Sequence, residues 1–138
     1  MNNLSDLCAV ELETHPSADA AVVVAECAKQ VPFAIARMFT ITARAGAVRG
    51  RHAHRRCAQF MVCVHGAMDV VCTDGRAERA FSLDRGNLGL LVPPTIWNTV
   101  TVHIEGSVLV VLCDRPYEAQ DYIRDYQDFL SFRGVTRT

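Results

Sequence analysis

The chain carries almost no lysine: Lys29 stands alone among 14 basic residues, and the rest are arginine. It has no charge imbalance either, with 15 acidic residues and a formal net charge of −1. That balance removes the usual reason to expect nucleic acid or an anionic membrane as a partner. No apolar run is long enough to span a bilayer; Ala20 to Ala25 is far too short. Met1 to Asp6 is polar, so no secretory leader is expected. No CxxC occurs among Cys8, Cys27, Cys57, Cys63, Cys72 and Cys113. Reduced, mostly buried thiols in a cytoplasmic protein are therefore expected.

There is no internal repeat, low-complexity tract or linker, and 138 residues suit one domain over 1–138. Short β-rich runs recur at Ala20–Glu26, Ala36–Thr42, Gln59–Val64, Ala67–Cys72, Arg79–Leu83, Gly89–Val92, Asn98–Val102 and Ser107–Cys113. Turn signals separate them, including Ala45-Gly46, His65-Gly66, Asp74-Gly75, Arg85-Gly86, Pro93-Pro94 and Glu105-Gly106. This spacing predicts an all-β sandwich or barrel. Phe60 to Asp74 reads as a hairpin turning at His65-Gly66. Tyr122, Ile123, Tyr126, Phe129 and Leu130 fall on one stripe of an amphipathic helix covering about 117–132.

Chemistry concentrates in Arg49-Gly50-Arg51-His52-Ala53-His54. On a β-strand, residues two apart share a face, so His52 and His54 point the same way. Such a pair holds a metal or moves protons. Gly46, His52, His54, Gln59 and Gly66 together resemble the first cupin motif. Metal-binding cupins place a glutamate where Gln59 stands and a third histidine where Asn98 stands. Amide oxygens are weak ligands for zinc or iron. A proton-transfer pocket without a metal is therefore expected, and no cofactor. His65 and His103 are expected to be solvent-facing residues at strand ends, and His15 has no assigned role.

The chain also resembles the nucleotide-sugar 3,4-ketoisomerases, which act on dTDP-4-keto-6-deoxyhexoses. The resemblance covers about 31–130. It rests on Val31-Pro32-Phe33-x-Ile35-x-Arg37, Arg49-Gly50-x-His52-Ala53-His54, Gly89-Leu90-x-Val92-Pro93-Pro94-x-x-Trp97, and the terminal Asp121-Tyr122-Ile123-Arg124-Asp125-Tyr126 run. It implies a cupin-like jelly roll with one C-terminal helix, a homodimer, no metal, and His52 and His54 as acid/base groups. Where the family carries tyrosines after its Arg-Val, this chain has Phe39 and Thr40; where it has Trp-His, this chain has Trp97-Asn98. Ala58-Gln59 stands for its Glu-Gln, and its early Asp-x-Arg-Gly segment is not recognisable in His15 to Ala21.

The expected reaction moves a ketone from C4 to C3 through an enediol(ate). His54 is the expected base and His52 its partner. Arg49 would stabilise enolate charge or bind pyrophosphate, and Gln59 and Asn98 would bond sugar hydroxyls or the keto oxygen. Trp97 and Arg37 complete the candidate substrate-binding set, Trp97 with the alternative of a buried barrel wall. Rival readings are a metal-dependent cupin enzyme, a 3,5-epimerase on the same scaffold, and a non-catalytic sugar-binding module.

Overall fold

A computed structural model describes residues 1–136. Alternating burial, not continuous hydrophobicity, builds its strands. In Val108–Cys113, Leu109, Val111 and Cys113 are buried and the residues between them are half-exposed. That period of two places one face on a core and leaves the other for a second layer.

Twelve strands result: β1 Cys8–Glu11, β2 Glu13–Pro16, β3 Ala21–Val24, β4 Arg37–Thr42, β5 Val48–His54, β6 Gln59–His65, β7 Met68–Thr73, β8 Glu78–Leu83, β9 Leu88–Val92, β10 Trp97–Val102, β11 Val108–Cys113 and β12 Tyr122–Ile123. One helix follows, α1 Tyr126–Arg133. The first sheet runs β1-β9-β6-β11-β4 and the second β12-β5-β10-β7-β8, with β2-β3 as a separate hairpin. From β4 onward, sequence neighbours alternate between the two sheets in the manner of a jelly roll, apart from the β7–β8 hairpin. Between the sheets lie Met61, Cys63, Leu90, Leu109 and Val111 from one side and Met68, Val70, Cys72, Val100 and Val102 from the other. Behind the first sheet, Leu12, Val31, Phe60 and Val62 form an outer cluster. Behind the second, α1 covers Ala53, Trp97 and Ile123.

Eight expected strands appear within a few residues of their bounds; β1, β2, β5 and β12 were not among them. Two expectations are corrected. The stretch from Phe60 to Asp74 is not a hairpin. β6 pairs with β9 and β11, whereas β7 pairs with β8 and β10. The chain turns a corner between sheets at Gly66, whose φ is +81°. The corner is clasped by Ser107, whose hydroxyl accepts from the Ala67 N–H at 3.0 Å.

The helix is also shorter than 117–132. Asp125 caps it, its side chain accepting from the Asp128 N–H at 3.0 Å, and Gly134 closes it in the left-handed conformation. Upstream, Ala119–Asp121 is a 3-10 turn and Tyr122–Ile123 pairs with Ala53 and His54 of β5. Tyr122 and Ile123 match a helical stripe by spacing, but as strand neighbours they face opposite ways. Ile123 packs under α1, and Tyr122 meets the histidines. Among the described residues no helix is long and apolar enough to cross a membrane. All six cysteines are free, four of them buried and Cys8 and Cys27 exposed.

A Cβ at Gly66 would lie 2.1 Å from the Ser107 hydroxyl and 2.9 Å from its Cα. Gly66→Ala is expected to cost about 1–3 kcal/mol through this clash, with left-handed strain added. Urea unfolding monitored by circular dichroism measures the loss.

Candidate active site

β5 carries a bulge that aims its side chains. Asn98 of β10 faces His52, yet the next residue, Thr99, faces Gly50. The extra residue is Arg51, and both it and Gly50 have positive φ, +58° and +76°. Only glycine fits at 50, because a Cβ there would sit 2.8 Å from the Asn98 side-chain oxygen. Cross-strand partners share a face, so Arg49, opposite Val100, joins His52 and His54 on the inner side. Ala53 turns outward under α1. The two imidazoles lie 5.0 Å apart between centroids, nearly perpendicular.

The histidines are held differently. His54 is buried, and its Nδ1 lies 2.8 Å from Oδ2 of buried Asp121. Asp121 also accepts from the Arg56 N–H at 2.7 Å and the Cys57 N–H at 3.3 Å. Burial alone would raise the Asp121 carboxyl, but His54 and these backbone donors hold it below its ordinary value. An ionised carboxylate only accepts, so His54 donates from Nδ1 and keeps a lone pair on Nε2. Nε2 is buried and bonds to nothing among the described residues. Burial holds the His54 pKa below its ordinary value, against the pull of Asp121.

His52 places Nδ1 3.1 Å from the Gly50 carbonyl, to which it donates. Burial and then the neighbouring His54 push its pKa down from 6.5 to about 4. Both rings are therefore neutral near pH 7, each with a bare Nε2.

On the facing sheet, Arg37, Cys113 and Gln59 form one row through β4, β11 and β6. Arg37 donates to the Cys113 thiol at 3.5 Å and to the Tyr122 hydroxyl at 3.4 Å. The Cys57 thiol and the Arg37 guanidinium hold the Cys113 thiol below its ordinary value, burial opposing them. Tyr122 bridges the sheets, its ring 4.4 Å from His54 and 5.1 Å from His52. Buried Gln59 and Asn98 line the two sides.

Of the expected site residues, His52, His54, Gln59, Asn98 and Arg37 thus face the interior at one end of the sandwich. Arg49 lies on the same face but is exposed at the rim. Trp97 does not join them. It is the strand neighbour of Asn98 and points the other way, stacking on Tyr126 and Phe129 at 5.1 and 5.5 Å. It anchors α1, the barrel-wall alternative.

His54, Cys57 and Asp121 are the one group of potential ligand atoms that converge among the described residues. They do not suit a cation. Two ligand atoms about 2 Å from a metal sit farther apart than the direct 2.8 Å contact of His54 and Asp121. Both carboxylate oxygens are already engaged by backbone donors.

The family described as FdtA, WxcM-like, C-terminal, matches residues 5–134. A TDP-4-oxo-6-deoxy-alpha-D-glucose-3,4-oxoisomerase from Aneurinibacillus thermoaerophilus is 34% identical over 112 residues, covering 80% of this chain and 81% of that protein. The chain belongs to this family of sugar 3,4-ketoisomerases. The crystal structure of a 3,4-ketoisomerase from Helicobacter canadensis superposes with a TM-score of 0.90 at 28% identity, covering 94% of this chain and 98% of that one. QdtA, a sugar 3,4-ketoisomerase from Thermoanaerobacterium thermosaccharolyticum solved in complex with TDP, gives 0.91 at 25% identity over 95% and 96%.

Family membership leaves two residues that reasoning from sequence quoted without assigning a role, Asp121 and Tyr122. Both lie in the terminal run, which was read as helix and so as remote from the pocket. Asp121 lies inside the expected helix, about 117–132, so its place in the sequence gives no signal of a site.

Asp121→Asn keeps an acceptor for the backbone donors but frees His54 to take the wrong tautomer. Turnover is expected to fall about 100-fold or more, with a melting temperature close to that of the unaltered protein. Steady-state kinetics and a thermal melt test the two together.

Proposed function

We propose that the protein moves the ketone of a TDP-linked 4-keto-6-deoxyhexose from C4 to C3, with His54 as the base. One observation carries this reading. Four buried polar atoms at the site have no partner among the described residues: His54 Nε2, Gln59 Oε1, Asn98 Nδ2 and Arg37 Nε. Buried polar groups are nearly always bonded. Two acceptors and two donors, all buried and carried by residues of the same end of the sandwich, suit a ligand dense in hydroxyl and carbonyl groups, as a keto sugar is.

The C4 carbonyl acidifies the proton on C3. A neutral imidazole with its lone pair in the cavity takes that proton, and Asp121 stabilises the imidazolium that forms. Returned to C4, the same proton completes the carbon part of the shift. Arg37 stands beside the cavity to meet enolate charge. His52 positions substrate through its bare Nε2. Arg49, exposed at the rim, is suited to the pyrophosphate. The nucleotide assignment follows the relatives, one of which is solved with TDP.

We also propose a homodimer. An apolar groove lined by Leu12, Val23, Val62, Val64, Val110 and Leu112 crosses the outer face of the first sheet, away from the histidines. Val23 and Val64 are 41% and 51% exposed there. A surface of this kind favours burial against a second copy. Six free thiols accord with a reducing, cytoplasmic setting. Light scattering is expected to give twice the chain mass, and Val64→Asp to give the single mass; a monomeric parent protein at micromolar concentration sinks the dimer.

The decisive experiment incubates the protein with TDP-4-keto-6-deoxyglucose in deuterated water and identifies the product by NMR. A 3-keto product is expected; deuterium at C5 would instead indicate epimerase chemistry. His54→Asn is expected to lower turnover by about 100-fold or more. Near-normal turnover of that variant would sink its assignment as base.

The pH dependence has a definite sign. Protonation disables an imidazole base, and both rings are pushed below the ordinary 6.5, His52 to about 4. The acidic limb of kcat/KM is therefore expected below pH 6.5. A limb centred at or above 6.5 contradicts the burial argument.

A further inference from the structure

Moving a ketone from C4 to C3 relocates two protons, one from C3 to C4 and one from O3 to O4. His54 accounts for the carbon proton under the proposed function, on which this inference rests. As that proton leaves, negative charge develops on O4. The group that meets it must already carry a proton.

His52 does not meet that requirement. Its Nδ1–H is committed to the Gly50 carbonyl, and the neutral ring has only a lone pair on Nε2. Gln59 and Asn98 are amides and keep their protons. Phe39, beside Arg37 on the inner face of β4, has no hydroxyl. Tyr122 is arranged as the task demands. Its oxygen accepts from Arg37 Nη2 at 3.4 Å, which leaves its own O–H without an acceptor among the described residues. Its ring lies against both histidines. The Arg124 guanidinium sits over the same ring, 4.3 Å from its centroid. Two cations thus stand ready to stabilise a phenolate.

We propose that the Tyr122 hydroxyl is the second acid/base group, relaying the oxygen proton. His54 takes the proton from C3, the C3–H electrons form the C3–C4 double bond, and the carbonyl electrons move onto O4; the Tyr122 proton then passes to O4, giving an enediol. The Tyr122 phenolate, held by Arg37 and Arg124, then takes the proton from O3. The O3 electrons form the new carbonyl, and C4 receives the proton held by His54. Both residues return to their starting states, and no oxidant or reductant is needed.

Tyr122→Phe keeps the ring and its contacts, so a melting temperature near that of the parent protein is expected. Turnover of TDP-4-keto-6-deoxyglucose is expected to fall about 100-fold with KM changed less than about 3-fold. Oxygen-proton transfer should then limit the rate. The isotope effect from deuterium at C3 is expected to shrink toward unity, and the solvent isotope effect to grow. Turnover within about 3-fold of the parent protein overturns the proposal. So does any loss that leaves the C3 effect at its parent size or larger, which is the pattern of a merely structural residue. Ketone migration by the parent protein is measured alongside: its absence rejects the proposed function, whereas its presence makes the variant a test of Tyr122 alone.

Discussion

A buried carboxylate on a buried imidazole holds this site together. The 2.8 Å contact between Asp121 and His54 joins the end of the chain to the middle of β5. Neither group tolerates burial alone: an isolated carboxylate would take up a proton, and an isolated imidazole would lose its orientation. Together, and with the Arg56 and Cys57 N–H groups, they fix which nitrogen carries the proton. The lone pair at Nε2 is a consequence of that arrangement rather than of the histidine itself. The strand β12 follows directly, because Asp121 delivers Tyr122 into register with His54.

β5 serves two masters because its side chains alternate. Its inner face carries Arg49, His52 and His54 toward the cavity. Its outer face carries Ala53 to the underside of α1, where Trp97, Ile123, Phe129 and Leu130 meet it. The helix is thus a clamp on the back of the histidine-bearing strand, and a small residue between two histidines lets it approach. The bulge at Gly50 and Arg51 sets the phase of this alternation. In a strand running regularly through this point, residues 49 and 52 would stand on opposite faces; the bulge brings Arg49 onto the face of the pair.

Much of the fold was legible in the residues. Alternating Leu109, Val111 and Cys113, or Val100 and Val102, announce half-buried strands on local grounds alone. The histidine pair was legible for the same reason, since period-two geometry is a local property. Polar β5 was harder, being glycine-bearing and charged; its strand is stabilised by β10 and β12 rather than by its own apolar content. Tyr122 and Ile123 misled because a helical spacing and an extended dipeptide before a helix share the same residues. Local propensity could not separate them, whereas pairing with Ala53 and His54 does.

By itself the sequence determined the all-β class, the positions of most strands, the two imidazoles on one face, and amides where a metal site needs stronger donors. These follow from side-chain chemistry and from the two-residue repeat of a strand, which need no distant partner. Only the tertiary structure decided which residues complete the site. It brought Asp121 to His54 across 67 positions of chain and Tyr122 to Arg37 across 85. It turned Trp97 away from the cavity and sent β6 and β7 into different sheets. Those outcomes depend on which strands pair and which faces they bury, and such choices are made by the whole core at once rather than by any one segment.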